Sequence, residues 1–158
     1  MRKYWLDVDG LIASFCSHFW NYLNLPDHDA TEWNDSRIRD NFHLVAEDLN
    51  FWFSMPAMNT GIDPRRVAGY ITTRPISSEA TKTWLHMNKF PMRSVITVKH
   101  GGSKGEILKN IKDAVLVDDG AHNYEDCVKH GVECYLYDTT YNRHIETDKR
   151  IYSLSELP

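Results

Sequence analysis

Short apolar runs alternate with amphipathic segments along most of the chain. The apolar runs predict strands, at residues 4–6, 67–73, 94–98, 114–119 and 132–137. Segments with helical periodicity follow the later runs, at about 77–87, 103–111 and 121–130. Residues 151–154 either add an edge strand or pack across the sheet. This alternation is typical of an α/β fold, and we expect a doubly wound parallel sheet with helices on both faces.

A segment of different character follows the first strand. Apolar residues recur with a helical period between positions 12 and 23, and Pro26 ends that pattern. Residues 27–63 are polar, acidic and rich in large aromatic side chains, with helical pieces predicted around 31–42 and 44–54. We interpret residues 14–63 as a small helical cap and residues 1–13 and 64–158 as the α/β core.

Composition narrows the functional classes. The chain has 158 residues, a net charge of −4 and no basic block, so we do not expect duplex nucleic acid as a partner. The sequence contains no apolar run long enough for a membrane span, and we expect no signal peptide. Its three scattered cysteines fit a reducing compartment, which predicts a cytoplasmic protein. Homodimer formation is left open.

Polar side chains stand where the predicted strands end. In a doubly wound sheet, ligands bind beyond the carboxyl ends of the strands. The residues at that edge are Asp7, Asp9, Thr72, Thr73, Arg74, Lys99, Lys104, Asp118 and Asp119. Carboxylates crowded in one cleft repel each other unless a cation neutralises them, and ligands that are all oxygen atoms favour Mg²⁺ over zinc. Phosphoryl transfer through an aspartyl-phosphate suits this set of side chains best.

The same residues resemble a known family. Four motifs, in order, look like those of the haloacid dehalogenase-like phosphatases: Asp7-Val8-Asp9-Gly10, Thr72-Thr73-Arg74, Lys104 and Asp118-Asp119. Further stretches resemble the small 5′-nucleotidase branch, including its phage and bacterial members: residues 51–56, residues 71–75 and Tyr141-Asn142-Arg143. The resemblance covers the whole chain, and it implies the fold, the Mg²⁺ dependence and the residue roles that follow.

The resemblance implies a division of labour between the two N-terminal aspartates. Asp7 is expected to be the nucleophile and a metal ligand. Asp9 is expected to be the general acid and base, with its backbone carbonyl as a further metal ligand. Thr72 is expected to hold the transferring phosphoryl group, although a shift of one residue would give that task to Thr73.

The remaining motifs imply the charged surroundings of the phosphoryl group. Lys104 is expected to neutralise that group and Asp7, with Lys99 as a competing candidate. Asp119 is expected to bind Mg²⁺ directly, and Asp118 to act through water or as an orienting neighbour. Asn123 is a candidate for supporting the metal site.

The aromatic residues of the predicted cap suggest that the substrate carries a nucleobase. Phe15, Trp33 and Phe42 are the first candidates for stacking on a nucleobase, with Arg74 as a further substrate contact, although most of the aromatic rings could equally form the core of the cap. We therefore predict a phosphomonoesterase acting on nucleoside or deoxynucleoside 5′-monophosphates. The alternatives are another small phosphate ester, a 3′-phosphorylated nucleic-acid end, or a protein that binds phosphate or nucleotide without catalysis.

Overall fold

A computed structural model describes residues 1–26 and 35–158 of the chain. Within these residues, six parallel strands form one sheet in the order β3-β2-β1-β4-β5-β6. The strands are β1 Tyr4–Leu6, β2 Val67–Thr72, β3 Ser94–Thr97, β4 Val115–Asp118, β5 Glu133–Tyr137 and β6 Arg150–Ile151. The predicted parallel α/β sheet is confirmed, and the C-terminal segment adds the edge strand β6.

Six α-helices accompany the strands in the described part of the chain. They are α1 Phe15–Tyr22, α2 Ser36–Asn41, α3 Leu49–Ser54, α4 Ser78–Met87, α5 Lys104–Leu108 and α6 Ala121–Lys129. Side-chain caps begin several of them: Asp35 before α2, Asp48 before α3, Ser77 before α4 and Ser103 before α5. None of these helices has the length and apolar character that crossing a membrane requires.

The first helix begins later than the apolar pattern predicts. Residues 10–12 form a turn, and the N–H groups of Ile12 and Ala13 both donate to the carbonyl of Val8, at 2.9 and 2.8 Å. Ile12, at the start of the pattern, is therefore buried although it lies in a turn, and α1 begins only at Phe15.

Two hydrophobic clusters cover the two faces of the sheet. Successive strand residues point to opposite faces, so Trp5 packs in one cluster with Leu108 of α5 and Cys127 of α6. Leu6 packs in the other cluster with Trp84 of α4. This arrangement is the doubly wound layer structure that the sequence predicted.

The helices between β1 and β2 share the second of these clusters. Their buried rings in that cluster are Phe19, Trp20, Phe51 and Trp52. The end of α3 is also fastened to α4, because the indole N–H of Trp84 donates to the carbonyl of Met55 at 2.9 Å. These aromatic rings thus contribute to the core of the whole molecule as well as to packing within their own segment.

The strand order determines which residues meet at the carboxyl edge. β1 lies in the middle of the sheet and pairs with β2 on one side and β4 on the other. The N–H of Asp7 continues the β1–β4 ladder by donating to the carbonyl of Val117 at 2.9 Å. The residues at the ends of these three strands, Asp7, Thr72 and Asp118, are consequently neighbours.

Candidate active site

Lys104 joins the ends of β1 and β4. Its ammonium donates to Oδ1 of Asp7 and to Oδ2 of Asp118, each at 2.7 Å, and all three side chains are buried. Burial would lower the pKa of Lys104, but the carboxylates of Asp118 and Asp7 outweigh that effect and raise its pKa, so the ammonium stays charged. Lys99, the competing candidate, is exposed. Lys104 is therefore the lysine that the fold brings to Asp7.

Asp118 is occupied by hydrogen bonds on both of its oxygens. Oδ2 accepts from Lys104, while Oδ1 accepts from the N–H of Gly120 at 2.8 Å and from the amide of Asn123 at 3.0 Å. These contacts fix the turn between β4 and α6 as well as the lysine. The geometry agrees with an orienting role for Asp118, and Asn123 reaches the site through Asp118.

Asp119 is held differently, with one oxygen left open. Its Oδ2 accepts a hydrogen bond from the hydroxyl of Tyr141, and its backbone carbonyl accepts from the amide of Asn142 at 2.8 Å. Its Oδ1 is buried and has no hydrogen-bond partner among the described residues. A buried carboxylate oxygen without a donor is costly unless a cation or water completes its contacts.

Asp119 belongs to a cluster of three buried carboxylates. Asp7, Asp118 and Asp119 each offer an oxygen within 4.8 Å of the others. Burial, together with the charge of Asp118, raises the pKa of Asp7 to about 7 against the opposing effect of Lys104. Burial and the neighbouring charges of Asp7 and Asp118 likewise raise the pKa of Asp119 well above its usual range. The lysine alone does not balance these charges, so the donor set fits a hard cation with oxygen ligands.

Both the backbone conformation and the close packing of the site require a glycine at position 10. Its φ of +90° lies in the region that favours glycine. A Cβ at this position would overlap Oδ2 of Asp119 and lie 2.9 Å from the hydroxyl of Tyr141. The chain therefore passes the acidic cluster at a distance that only glycine permits.

Asp9 faces a cation of its own. The guanidinium of Arg74 donates from Nη2 to Oδ1 of Asp9 at 2.7 Å and from Nε to Oδ2 at 2.9 Å. The sequence predicted Arg74 as a substrate contact and the Asp9 side chain as the general acid and base. In the structure the Arg74 side chain is fully buried on Asp9, and the Asp9 carboxylate is not part of the acidic cluster found among residues 1–26 and 35–158. Arg74 therefore contacts Asp9, Trp52 and Trp84 and has no surface for a ligand.

The two threonines differ in exposure. Thr72 is buried at the end of β2, where its hydroxyl accepts a hydrogen bond from the N–H of Arg74 at 3.3 Å, whereas Thr73 is exposed. Thr72 is therefore the one that shares the buried strand ends with Asp7 and Asp118.

The predicted base-stacking residues fall into two groups. Phe15 and Phe42 are half-buried, with ring centroids 6.4 Å apart, and both pack near Trp52. Trp33, the third candidate, lies outside the described residues. The aromatic contacts of Phe15 and Phe42 agree with a packing role, and their remaining exposure leaves ring surface for a ligand.

Two residues at the site were not assigned a role from the sequence. Tyr141 and Asn142 follow β5, and both bond to Asp119. The amide of Asn142 also donates to the carbonyl of Tyr137 at 2.7 Å, which holds the loop against the strand end. The signals in the sequence were their position just after a core strand, which a simple polar turn would also explain, and the resemblance of Tyr141-Asn142-Arg143 to the 5′-nucleotidase branch.

No protein-family model matches the chain, and no curated protein matches it. Several solved structures match it. The Bacillus subtilis protein YfnB, described as a putative HAD-hydrolase bound to magnesium, aligns with a TM-score of 0.59 and 14% identity over 98% of this chain and 96% of its own. A haloacid dehalogenase-like hydrolase from Streptococcus pneumoniae, SP0104, aligns with a TM-score of 0.57 and 10% identity over 91% and 88%. The chain has the haloacid dehalogenase-like fold. At these identities the likeness establishes the fold alone.

Proposed function

We propose that the protein is a Mg²⁺-dependent phosphomonoesterase in which Asp7 is the nucleophile. The observation that carries this proposal is the position of Asp7, whose buried carboxylate is bonded to Lys104 beside Asp118 and Asp119 at the carboxyl edge of a haloacid dehalogenase-like sheet. Asp9 lies two residues further along the chain, and we propose that it exchanges the proton of the leaving group in the same reaction.

The first half-reaction would transfer the phosphoryl group to the protein. A carboxylate oxygen of Asp7 attacks phosphorus, the bond from phosphorus to the ester oxygen breaks, and Asp9 gives its proton to the departing oxygen. Lys104 and the hydroxyl of Thr72 are the proposed partners for the negative charge of the phosphoryl oxygens. The products of this step are an alcohol and an aspartyl-phosphate.

The second half-reaction would restore the protein. Water attacks the phosphorus of the aspartyl-phosphate, Asp9 accepts a proton from that water, and the bond to Asp7 breaks to release inorganic phosphate. Asp7 and Asp119 are the proposed ligands for Mg²⁺, which when bound would neutralise the clustered carboxylates and the phosphate. Asp118 would keep Lys104 and the following turn in place.

The proposed substrate is a small nucleotide. Phe15 and Phe42 carry partly exposed rings in the segment between β1 and β2, and every nucleobase offers a face that can stack on such a ring. The net charge of −4 supports a mononucleotide over a long polyanion. We propose nucleoside or deoxynucleoside 5′-monophosphates.

A phosphate-release assay tests both the proposed phosphatase activity and the proposed specificity for nucleotides. Purified protein with Mg²⁺ is supplied with 5′- and 3′-mononucleotides, a 3′-phosphorylated oligonucleotide, a sugar phosphate and an aryl phosphate, beside the Asp7→Asn variant. We expect release from 5′-mononucleotides that Asp7→Asn abolishes. Release from the other esters alone would overturn the nucleotide assignment. No release from any ester would overturn the enzyme assignment and leave a binding protein.

A further inference from the structure

Arg74 connects Asp9 to the helices on one face of the sheet. Its guanidinium carbon lies 5.1 Å from the ring centroid of Trp52 in α3 and 4.9 Å from that of Trp84 in α4. Its Nη2 also lies 3.7 Å from the sulfur of Met55. A buried cation packed against two aromatic rings has little freedom to rotate, so packing sets the direction in which Arg74 presents its donors.

The contact with Asp9 uses the planar edge of the guanidinium. Nε and Nη2 hold both oxygens of the carboxylate, which fixes its plane as well as its position. The Arg74 side chain is fully buried, whereas that of Asp9 keeps 19% of its surface exposed. Asp9 therefore keeps exposed surface through which it can exchange a proton, whereas the Arg74 side chain has none.

We propose that Arg74 is a positioning residue that holds the Asp9 carboxylate in place for proton exchange with the leaving group, and that Trp52 and Trp84 hold Arg74. This inference rests on the proposed phosphatase function. It replaces the substrate contact that the sequence suggested for Arg74, because a fully buried guanidinium engaged by Asp9 cannot meet a ligand in the cleft. Because Trp52 belongs to α3, the position of Asp9 then also depends on the packing of α3 against the core.

A series of phosphate esters with different leaving groups separates the possible roles of Arg74. An activated aryl phosphate such as p-nitrophenyl phosphate departs without needing a proton, whereas an alkyl or nucleoside phosphate needs one. If Arg74 acts through Asp9, Arg74→Gln should lower kcat for alkyl esters by about 10²-fold or more, the usual size of general-acid catalysis, and lower it much less for the activated ester. Asp9→Asn should show the same dependence on the leaving group.

The double variant Asp9→Asn/Arg74→Gln provides the decisive comparison. Its kcat for alkyl esters should be no lower than that of Asp9→Asn, because removing Arg74 costs nothing further once Asp9 cannot transfer a proton. Arg74→Lys, which keeps the charge but loses the planar fork, keeps the test available if Arg74→Gln folds poorly, and it should show the same leaving-group dependence in weaker form.

Arg65→Gln is the matched control. Arg65 makes an analogous two-point contact with Asp63, with Nη2 to Oδ2 at 2.7 Å, on the exposed surface. Its loss should leave kcat unchanged for every ester. Equal losses across all leaving groups in the Arg74 variants, a raised KM with unchanged kcat, or multiplicative losses in the double variant would each overturn the positioning role. An active wild type with inactive Asp7→Asn would leave the proposed function standing in those cases.

Discussion

The Nζ of Lys104 lies 2.7 Å from Oδ1 of Asp7, although 97 residues separate them in the chain. The contact exists because β1 and β4 are neighbours in the sheet and α5 places its first residue beyond their carboxyl ends. The second bond of Lys104, to Asp118, makes the lysine a bridge between two strands. The same contact therefore stabilises the strand ends and compensates the negative charge of Asp7, the proposed nucleophile.

Replacing Lys104 by Met should be strongly destabilising. The substitution keeps much of the volume but leaves the carboxylates of Asp7 and Asp118 buried without their cation, and breaking a buried pair in this way costs about 3–5 kcal/mol. Urea denaturation of the metal-free protein measures this loss in the free energy of unfolding.

Lys99→Met is the matched control for this prediction. Lys99 is exposed, so its replacement should change the free energy of unfolding by less than about 0.5 kcal/mol. Equal effects of the two substitutions would contradict the assignment of Lys104 as the buried bridge.

A methyl group at Gly10 should disturb the acidic cluster directly. Gly10→Ala combines a positive φ with an overlap on Asp119, so we expect a loss of stability and a loss of Mg²⁺ binding. Gly101→Ala shares the positive φ, at +76°, but its Cβ would meet nothing within 4 Å. It should cost only about 1 kcal/mol of backbone strain and leave Mg²⁺ binding intact. Calorimetric titration of both variants with Mg²⁺ tests this, and unchanged binding in Gly10→Ala would refute the prediction.

The hydroxyl of Tyr141 should matter for metal affinity. Tyr141→Phe removes the donor to Oδ2 of Asp119, and loss of a group that orients a metal ligand weakens binding by about 10- to 100-fold. Tyr152→Phe, at an exposed tyrosine, is the control and should bind Mg²⁺ like the wild type. Calorimetric titration with Mg²⁺ measures both affinities. Equal affinities in Tyr141→Phe and Tyr152→Phe would show that Tyr141 does not orient Asp119.

Stability without metal should fall as the pH rises toward neutrality. The pKa of Asp7 is raised from 3.8 to about 7, mainly by burial, so between these values the folded protein binds more protons than the unfolded chain. The free energy of unfolding then decreases with rising pH across that window, and the raised pKa of Asp119 acts in the same direction. The proposed binding of Mg²⁺ to the ionised carboxylates should consequently raise the Tm more at pH 7.5 than at pH 5.

Thermal melts with Mg²⁺ or with a chelator at both pH values measure this difference. A monovalent salt at matched ionic strength is the control and should give no comparable shift. A Mg²⁺-induced rise in Tm that is the same at both pH values would contradict the proposed link between proton release and metal binding.

The sequence was informative about the strands and about what stands at their ends. Apolar runs that end in Asp7, Thr72 and Asp118 were enough to predict a parallel sheet with a polar carboxyl edge, because that edge is where such sheets gather their polar side chains. The choice of Lys104 over Lys99 was also reached, but only the structure shows the burial that separates them.

Contacts between distant side chains were harder to predict. Arg74 follows β2 in the chain, and nothing in its neighbourhood indicates that Trp52 and Trp84 will enclose it. Tyr141 lies in a loop whose composition also fits an ordinary turn, and its contact with Asp119 depends on how that loop folds back over the sheet. Both are results of tertiary packing, on which local patterns carry little information.

Detection of the phosphoryl group on the protein tests whether Asp7 is the nucleophile. Wild-type protein turning over a 5′-mononucleotide with Mg²⁺ is quenched in acid, which preserves acyl phosphates, and its peptides are mapped by mass spectrometry. We expect a phosphoryl group on the peptide that contains Asp7, and neither modification nor turnover in Asp7→Asn. Release of phosphate without any modification of Asp7, or with full activity in Asp7→Asn, would contradict it.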